Sequence, residues 1–190
     1  GNLYVDDIRG WNTTVPNGNN NPMDNYGHGT HVSGTIAAVG NNSIGIVGVA
    51  PKTKIMPVKG LDDTGWGSDG WLADAIEYAL INGADIISNS WGCWSPCPYN
   101  PTLERAVWSA NFLGVVTVFA AGNSSDDVIY YSPQNMLNRK PIVVSASDYN
   151  DNRISFSNYG ILIDVAAPGG GTNTPPPTYA PYRNILSLKS

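Results

Sequence analysis

Val115-Val116-Thr117-Val118-Phe119-Ala120-Ala121-Gly122-Asn123 is the stretch on which the fold turns. Its first seven residues form a near-continuous apolar run with a polar interruption only at Thr117, and Gly-Asn ends it. A strand of a parallel sheet covered on both faces reads this way. Upstream, Asn100-Pro101 opens a helix carrying Leu103, Ala106, Val107 and Ala110, and Gly114 stops it. Before that, residues 85–90 read as a strand. Ser68 offers an N-cap to a helix in which Trp71, Leu72, Ala75, Ile76, Ala79 and Leu80 recur at helical spacing, with Gly83 as its stop. Residues 54–59 form a further short strand. Downstream, residues 141–146, 154–157 and 162–166 read as strands joined by polar turns. Residues 169–181, rich in Gly, Pro and Thr, read as an extended loop. This alternation predicts an α/β fold: a doubly wound, mostly parallel sheet with helices on both faces. In such sheets the functional groups lie beyond the carboxyl ends of the strands.

Composition narrows the function. The chain has 190 residues, a size that suits one domain with a real core. Charged residues make up 13% and the net charge is −5, with no basic cluster, which argues against a nucleic-acid partner. Ordinary apolar content with abundant Gly, Asn, Ser and Pro suits a loop-rich secreted or extracellular enzyme rather than a disordered chain. Residues 106–125 carry no formal charge and are about long enough to span a bilayer. Asn111, Gly114, Thr117 and Asn123 interrupt them, and a helix followed by a strand is the better reading, so no membrane is expected. Cys93 and Cys97 enclose Trp-Ser-Pro. A local disulfide in an oxidising compartment is favoured over a two-cysteine metal site. Asn12-Thr13-Thr14 and Asn41-Asn42-Ser43 fit a glycosylation pattern that most chains carry by chance.

Both histidines fall in Asn25-Tyr26-Gly27-His28-Gly29-Thr30-His31-Val32-Ser33-Gly34-Thr35. Small neighbours around a histidine allow close approach of another backbone and unusual backbone angles. Val32, Ile36, Ala37 and Val39 suit a helix, which puts His28 near a helix N-terminus. At the end of the apolar run, Asn123 is an amide exposed at a strand's carboxyl end. It suits a hydrogen-bond donor to a developing oxyanion; otherwise it is a turn residue.

The histidine stretch resembles the histidine motif of the subtilisin-like serine proteases, the subtilases. Phe119-Ala120-Ala121-Gly122-Asn123-Ser124 resembles their Ala-Ala-Gly-Asn segment. The resemblance implies that His28 is the general base, that His31 is structural and that Asn123 is the oxyanion donor. Ser88-Asn89-Ser90-Trp91-Gly92 and Gly65-Trp66-Gly67-Ser68 resemble the two backbone edges that flank an extended substrate peptide in the family. The implied substrate-binding residues are Gly65, Trp66, Gly67, Ser90, Trp91, Gly92, Ala120 and Gly122. Trp91 stands where many members carry Leu, which implies an altered pocket; core packing is the plainer role for an indole. Residues 41–51 resemble the family's calcium loop. Structural Ca2+ is implied there, with Asn42 and the carbonyls of Gly40, Ile44 and Ile46 as ligands, and with carboxylate ligands from upstream of this chain. Residues 5–11 and 22–24 resemble segments before the histidine motif, and residues 164–169 resemble one before the serine motif. The implied partners are a polypeptide substrate in extended conformation and a propeptide.

Two family motifs are missing. No Gly-Thr-Ser-Met-Ala-like serine motif occurs, and no apolar strand ending in Asp-Thr-Gly or Asp-Ser-Gly precedes His28. Asp6 and Asp7 precede it but are followed by Ile and Arg. Asp63-Thr64-Gly65 has the right letters after the histidine, where the family has a substrate-strand loop. An aspartic protease would need a second such tripeptide. The chain is therefore expected to be the central part of a subtilase catalytic domain, residues 1–190, incomplete at both ends and inert by itself. The competing expectation is a non-catalytic peptide-binding pseudoprotease. A dinucleotide binder would need a Gly-x-Gly-x-x-Gly turn, which is missing.

Overall fold

A computed structural model describes residues 4–170 together with Ile185, Ser187 and Leu188. Most of the loop expected over 169–181 lies outside them. The chain divides into two compact units, residues 1–84 with 186–190, and residues 85–185.

The first unit holds β1 (Trp11–Asn12), α1 (His28–Ala37), β2 (Val58–Lys59) and α2 (Asp69–Ile81). β1 and β2 pair in parallel, Trp11 opposite Val58. α2 starts where Ser68 Oγ accepts from Trp71 N–H (3.2 Å) and ends before Gly83, whose φ of +81° favours glycine. Its inner face buries Leu72, Ile76, Tyr78 and Ala79. Tyr78 stacks on Trp11 (centroids 5.9 Å apart), and Tyr4 meets both rings edge-on. The Tyr78 hydroxyl donates to Asp7 Oδ2 (2.8 Å); burial, then this hydrogen bond and the Asp7 charge, push its acidity far below that of free tyrosine.

This unit differs from the sequence expectation at two places. The strand expected over 54–59 is only Val58–Lys59. Pro57 has no N–H for a ladder, and its carbonyl accepts from Trp11 N–H (3.2 Å) at the head of β1. β1 itself has no sequence signal, because two residues show no periodicity.

The second unit holds β3 (Ile86–Asn89), α3 (Pro101–Phe112), β4 (Val116–Ala120), β5 (Ile142–Ser147) and β6 (Val165–Pro168). The four strands form one sheet in the order β3-β4-β5-β6, every pair parallel. The helix boundaries follow the sequence: Asn100 Oδ1 accepts from Leu103 N–H (3.1 Å), Pro101 opens α3, and Gly114 follows it at φ +92°. α3 buries Leu103, Val107 and Ala110, and the sheet buries Ile87, Phe119 and Val143.

Burial along β4 alternates rather than running continuously. Thr117 and Phe119 are buried, whereas Val116 is 41% exposed. The register puts Ile86, Val116, Ile142 and Val165 on the same face, and all four stay at least 40% exposed, with no cover from the described residues. Residues 154–157 form a turn instead of a strand. Ser157 N–H donates to Ile154 O (3.0 Å), and Ser157 Oγ accepts from Ala146 N–H (3.0 Å). The strand expected over 162–166 lies at Val165–Pro168, because Asp164 is occupied as a side chain. Its carboxylate accepts from Val143 N–H (2.9 Å) and pairs with Lys140. No helix among the described residues is long and apolar enough to cross a membrane.

Candidate functional site

His28 is the first residue of α1. Gly27 precedes it as N-cap in a left-handed conformation (φ +93°), which an L side chain rarely adopts. Gly27 has no side chain to cap the helix, and Asp24 does this from three residues upstream. Its Oδ1 accepts from Tyr26 N–H (3.1 Å) and Gly27 N–H (2.7 Å); its Oδ2 accepts from Thr30 N–H and Thr30 Oγ1 (both 2.8 Å). A carboxylate here also faces the positive end of the helix dipole. Burial alone would push the Asp24 carboxyl up, but the bonds from Thr30, Gly27 and Tyr26 outweigh it and hold it below the usual carboxylate range. Held this way, the His28 imidazole is exposed and has no hydrogen-bond partner among the described residues.

The turn at Gly65–Gly67 lies against this segment. Asp62 organises it: Oδ1 accepts from Thr64 N–H, Thr64 Oγ1 and Trp66 N–H (2.8, 2.7 and 3.1 Å). The Thr64 hydroxyl, with these N–H groups, holds the Asp62 carboxyl below its usual range. Gly65 sits at φ +80° with the Tyr26 ring about 3 Å from where a Cβ would be. A Cβ on Gly67 would lie 2.6 Å from Gly60 O. Asp63, of the Asp-Thr-Gly triplet, pairs with Lys59 and accepts from Asn25 Nδ2 (2.9 Å); these partners hold its carboxyl below the usual carboxylate range. Lys59 Nζ also donates to Met23 O (2.8 Å). Residues 23–28 and 62–67 are thus one assembly. Trp66 is 55% exposed and meets Trp71 edge-on at 5.5 Å.

In the second unit, Ser90, Trp91 and Gly92 follow the carboxyl end of β3, and Ala120, Gly122 and Asn123 stand at that of β4. The Trp91 ring meets buried Phe119 edge-on at 4.9 Å. Asn123 is exposed and its amide has no hydrogen-bond partner among the described residues. Asn158, fully buried, holds the loop that carries it. Its Nδ2 donates to Ala121 O (2.9 Å), and its Oδ1 accepts from Ser124 N–H (2.9 Å) and Asp126 N–H (3.2 Å). Its own N–H donates to Gly122 O (3.0 Å). Gly122 is at φ +106°, and a Cβ there would lie 2.6 Å from Asn158 Nδ2. Cys93 and Cys97 form a disulfide (S–S 2.04 Å) that closes the loop after Gly92.

The structure sets Asn25 and Tyr26, just before His28, against the turn at Asp63–Gly65 in the first unit, and brings Ser90–Gly92 together with Ala120–Asn123 in the second. Sequence reasoning gives no role to Asp24, Asn158 or Gln134, a buried residue beside Trp91 and Ala120. Asp24 alone has a local signal: an Asx residue three before a glycine at a helix start. An open groove of about 420 Å³ beside α3, lined by Tyr99, Trp108 and Leu137 among others, contains none of the expected site residues.

Residues 40–46 form an exposed loop with Asn41, Ser43 and Gly45 at positive φ. Asn42 Oδ1 already accepts from Ile44 N–H (3.1 Å). Gly40, Asn42, Ile44 and Ile46 would offer four oxygens, whereas Ca2+ takes six to eight. No group of three or more His, Cys, Asp or Glu gathers to hold a metal among the described residues. This loop alone does not complete a calcium site.

An exposed imidazole at a helix start, with an exposed amide after a parallel strand, belongs to an α/β protein whose candidate groups sit at element ends. The family is clear: the chain belongs to the subtilases, whose family description, "Subtilase family", matches residues 2–188. It is 46% identical over 175 residues to Subtilisin Savinase of Lederbergia lenta, covering 91% of this chain and 62% of that protein. An alkaline protease of Alkalihalobacillus alcalophilus is also 46% identical, over 91% of this chain and 44% of its own length. The chain thus spans between 44% and 62% of these curated relatives. Among solved structures, a protease from Pseudoalteromonas arctica superposes with a TM-score of 0.75 at 32% identity, over 87% of this chain and 57% of that one. A cold-adapted subtilisin-like serine proteinase gives 0.72 at 28%, over 90% and 60%.

Proposed function

We propose that the whole protein is a serine endopeptidase working through a Ser-His-Asp mechanism. In this reading residues 1–190 are the central part of its catalytic domain. His28 takes the proton from a serine hydroxyl as that oxygen attacks the substrate carbonyl, then returns it to the leaving amine. The Asn123 amide donates to the oxyanion that develops on the attacked carbonyl. Gly65, Trp66 and Gly67 hydrogen-bond an extended polypeptide main chain, and so do Ser90, Trp91 and Gly92. Ala120 and Gly122 line the side-chain pocket beside the scissile bond. The serine and the orienting aspartate come from sequence that this chain does not contain.

The observation that carries this reading is the state of His28. It is a solvent-exposed imidazole with no partner among the described residues, on a helix start built around Gly27 and Asp24. The Cys93–Cys97 disulfide supports a secreted, extracellular location. Residues 40–46 contribute to a structural Ca2+ site only if further oxygens, carboxylates included, join them. A propeptide would occupy the same edges as substrate. The test is hydrolysis of an unfolded protein substrate by the full-length protein. His28→Ala is expected to lower kcat by roughly 10⁴-fold or more, and Asn123→Ala by about 10²–10³, a magnitude measured on subtilisin itself. Full activity in the His28→Ala protein would contradict the assignment.

A further inference from the structure

We propose that Trp94, at the tip of the disulfide-closed loop 93–97, is a further binding site for substrate: it takes an apolar side chain of the polypeptide where that chain runs on past Ser90–Gly92. The proposal rests on the endopeptidase reading above and deepens it, from main-chain pairing to a preference for long, apolar substrates.

The main chain here is open to a second chain. Asn89 is the last β3 residue in register with β4, opposite Phe119. Beyond it, the main chain of residues 90 and 92–96 makes no hydrogen bond among the described residues. Trp91 O accepts one long bond, from Gln134 Nε2 (3.5 Å). A stretch with so few bonds keeps its place only if something else holds it, and here the hold is covalent. Cys93, directly after Gly92, is bonded to Cys97. Cys97 is itself fixed: its N–H donates to Tyr130 O (2.8 Å), and its carbonyl accepts from Ser132 N–H (3.0 Å). Residues 90–92 are therefore anchored by β3 at one end and by the disulfide at the other, with their own polar groups left for a peptide main chain.

The same closure displays Trp94. Only Trp94, Ser95 and Pro96 lie between the cysteines. Trp94 is 93% exposed and meets no other ring among the described residues. A single exposed apolar residue is ordinary, but this loop is rooted in an apolar patch. Asn135 Nδ2 donates to Pro98 O and Ile129 O (both 2.9 Å), which draws the two segments together. Tyr99, Ile129 and Tyr130 there are each at least 47% exposed, and residues 94–99 and 129–130 include no charged side chain. Exposed patches of this kind mark interaction sites, and Trp and Tyr recur at their energetic centres. Position identifies the occupant. An extended chain advances about 3.3 Å per residue, so a substrate aligned with residues 90–92 reaches Trp94 within two or three further residues. The uncharged surface suits apolar side chains, and a covalently closed loop loses little freedom when its ring is covered.

The experiment measures KM and kcat of the full-length protein on one short peptide lengthened, at its amino or its carboxyl end, by Leu-Phe-Leu or by Gly-Ser-Gly. At one end, Leu-Phe-Leu is expected to lower KM by about fivefold or more relative to Gly-Ser-Gly, with kcat little changed, the pattern of added uniform binding. Trp94→Ala is expected to abolish that ratio, and Trp94→Phe to keep most of it. Trp94→Gln, which keeps bulk and removes the ring, decides in the same way should the alanine protein not fold. No gain at either end overturns the proposal, as does an equal gain at both ends or a gain that survives in Trp94→Ala. If the full-length protein cleaves none of these peptides, the endopeptidase reading fails. Calorimetric binding of the same peptides then decides: tighter binding of one Leu-Phe-Leu peptide, lost in Trp94→Ala, supports the proposal, and equal binding overturns it.

Discussion

The loops that present His28 and Asn123 are held by different chemistry. At His28 an ionised carboxylate, Asp24, gathers three backbone N–H groups and a hydroxyl at a helix start. At Asn123 a neutral amide, Asn158, gathers two N–H groups and a carbonyl, and it is wholly buried. Each arrangement leaves a neighbouring polar side chain, His28 or Asn123, exposed and without a hydrogen-bond partner among the described residues. The carboxylate works close to the surface, where its charge is solvated and adds strength. The amide works in the interior, where a charge would be costly to bury. The two supports should therefore fail under different conditions.

The largest effect is expected from Asn158→Leu. It leaves Ala121 O and the N–H groups of Ser124 and Asp126 without their partner. At ~1–3 kcal/mol for the buried Ala121 carbonyl left unpaired, with less from the part-buried N–H groups of Ser124 and Asp126, a loss of about 2 kcal/mol or more should appear in urea unfolding of the full-length protein. That loss should be the same at pH 4 and pH 7. A loss below about 1 kcal/mol would mean that water replaces the amide.

Asp24→Asn should cost less, about 1 kcal/mol, the usual worth of a side-chain cap at a helix start. Its signature is pH. The folded state holds this carboxyl below its ordinary range, so it contributes stability above the unfolded value of about 3.9. The contribution is lost as pH falls through that value and on through the lower folded one. Between pH 7 and pH 3 the stability difference between the unsubstituted and Asp24→Asn proteins should shrink toward zero, whereas the Asn158→Leu difference should not. Equal pH dependence in both variants would erase the contrast between the two supports.

The smallest effect is expected from Lys59→Met. The Lys59–Asp63 pair is half exposed on the Asp63 side, and such pairs contribute little. The shift should be smaller than for Asp24→Asn and should vanish at about 1 M salt, where the screening length falls to roughly 3 Å. A salt-independent loss would point to the Lys59 bond to Met23 O instead.

Much of this was legible in the sequence, where the signal is local. Ser68, Asn100 and Pro101 mark helix starts, Gly83 and Gly114 mark stops, and the apolar run over 115–121 contains β4. His28 falls at the first turn of its helix as the small and apolar residues around it imply. Most of the failures lie where the partners are distant in sequence, and one where a local turn replaces a strand. Apolar content at 154–157 suggests a strand, but Ser157 turns the chain with its hydroxyl and N–H. β1 exists only because Pro57 and residues beyond it approach from more than forty positions away. Asn158 and Gln134 bond to main-chain groups 32–37 and 14–43 residues away, separations at which composition and periodicity carry no information. Asp24 is the exception: its partners lie two to six residues away, and its spacing could have been read.

The measurement that bears most directly on the protease assignment is the intact mass of the full-length protein before and after a fluorophosphonate probe, alongside the His28→Ala variant. One adduct on the unsubstituted protein, with none on His28→Ala in the same time, is the expected result. No adduct on a folded protein that still binds extended peptides would contradict it and leave a peptide-binding protein in place of a protease.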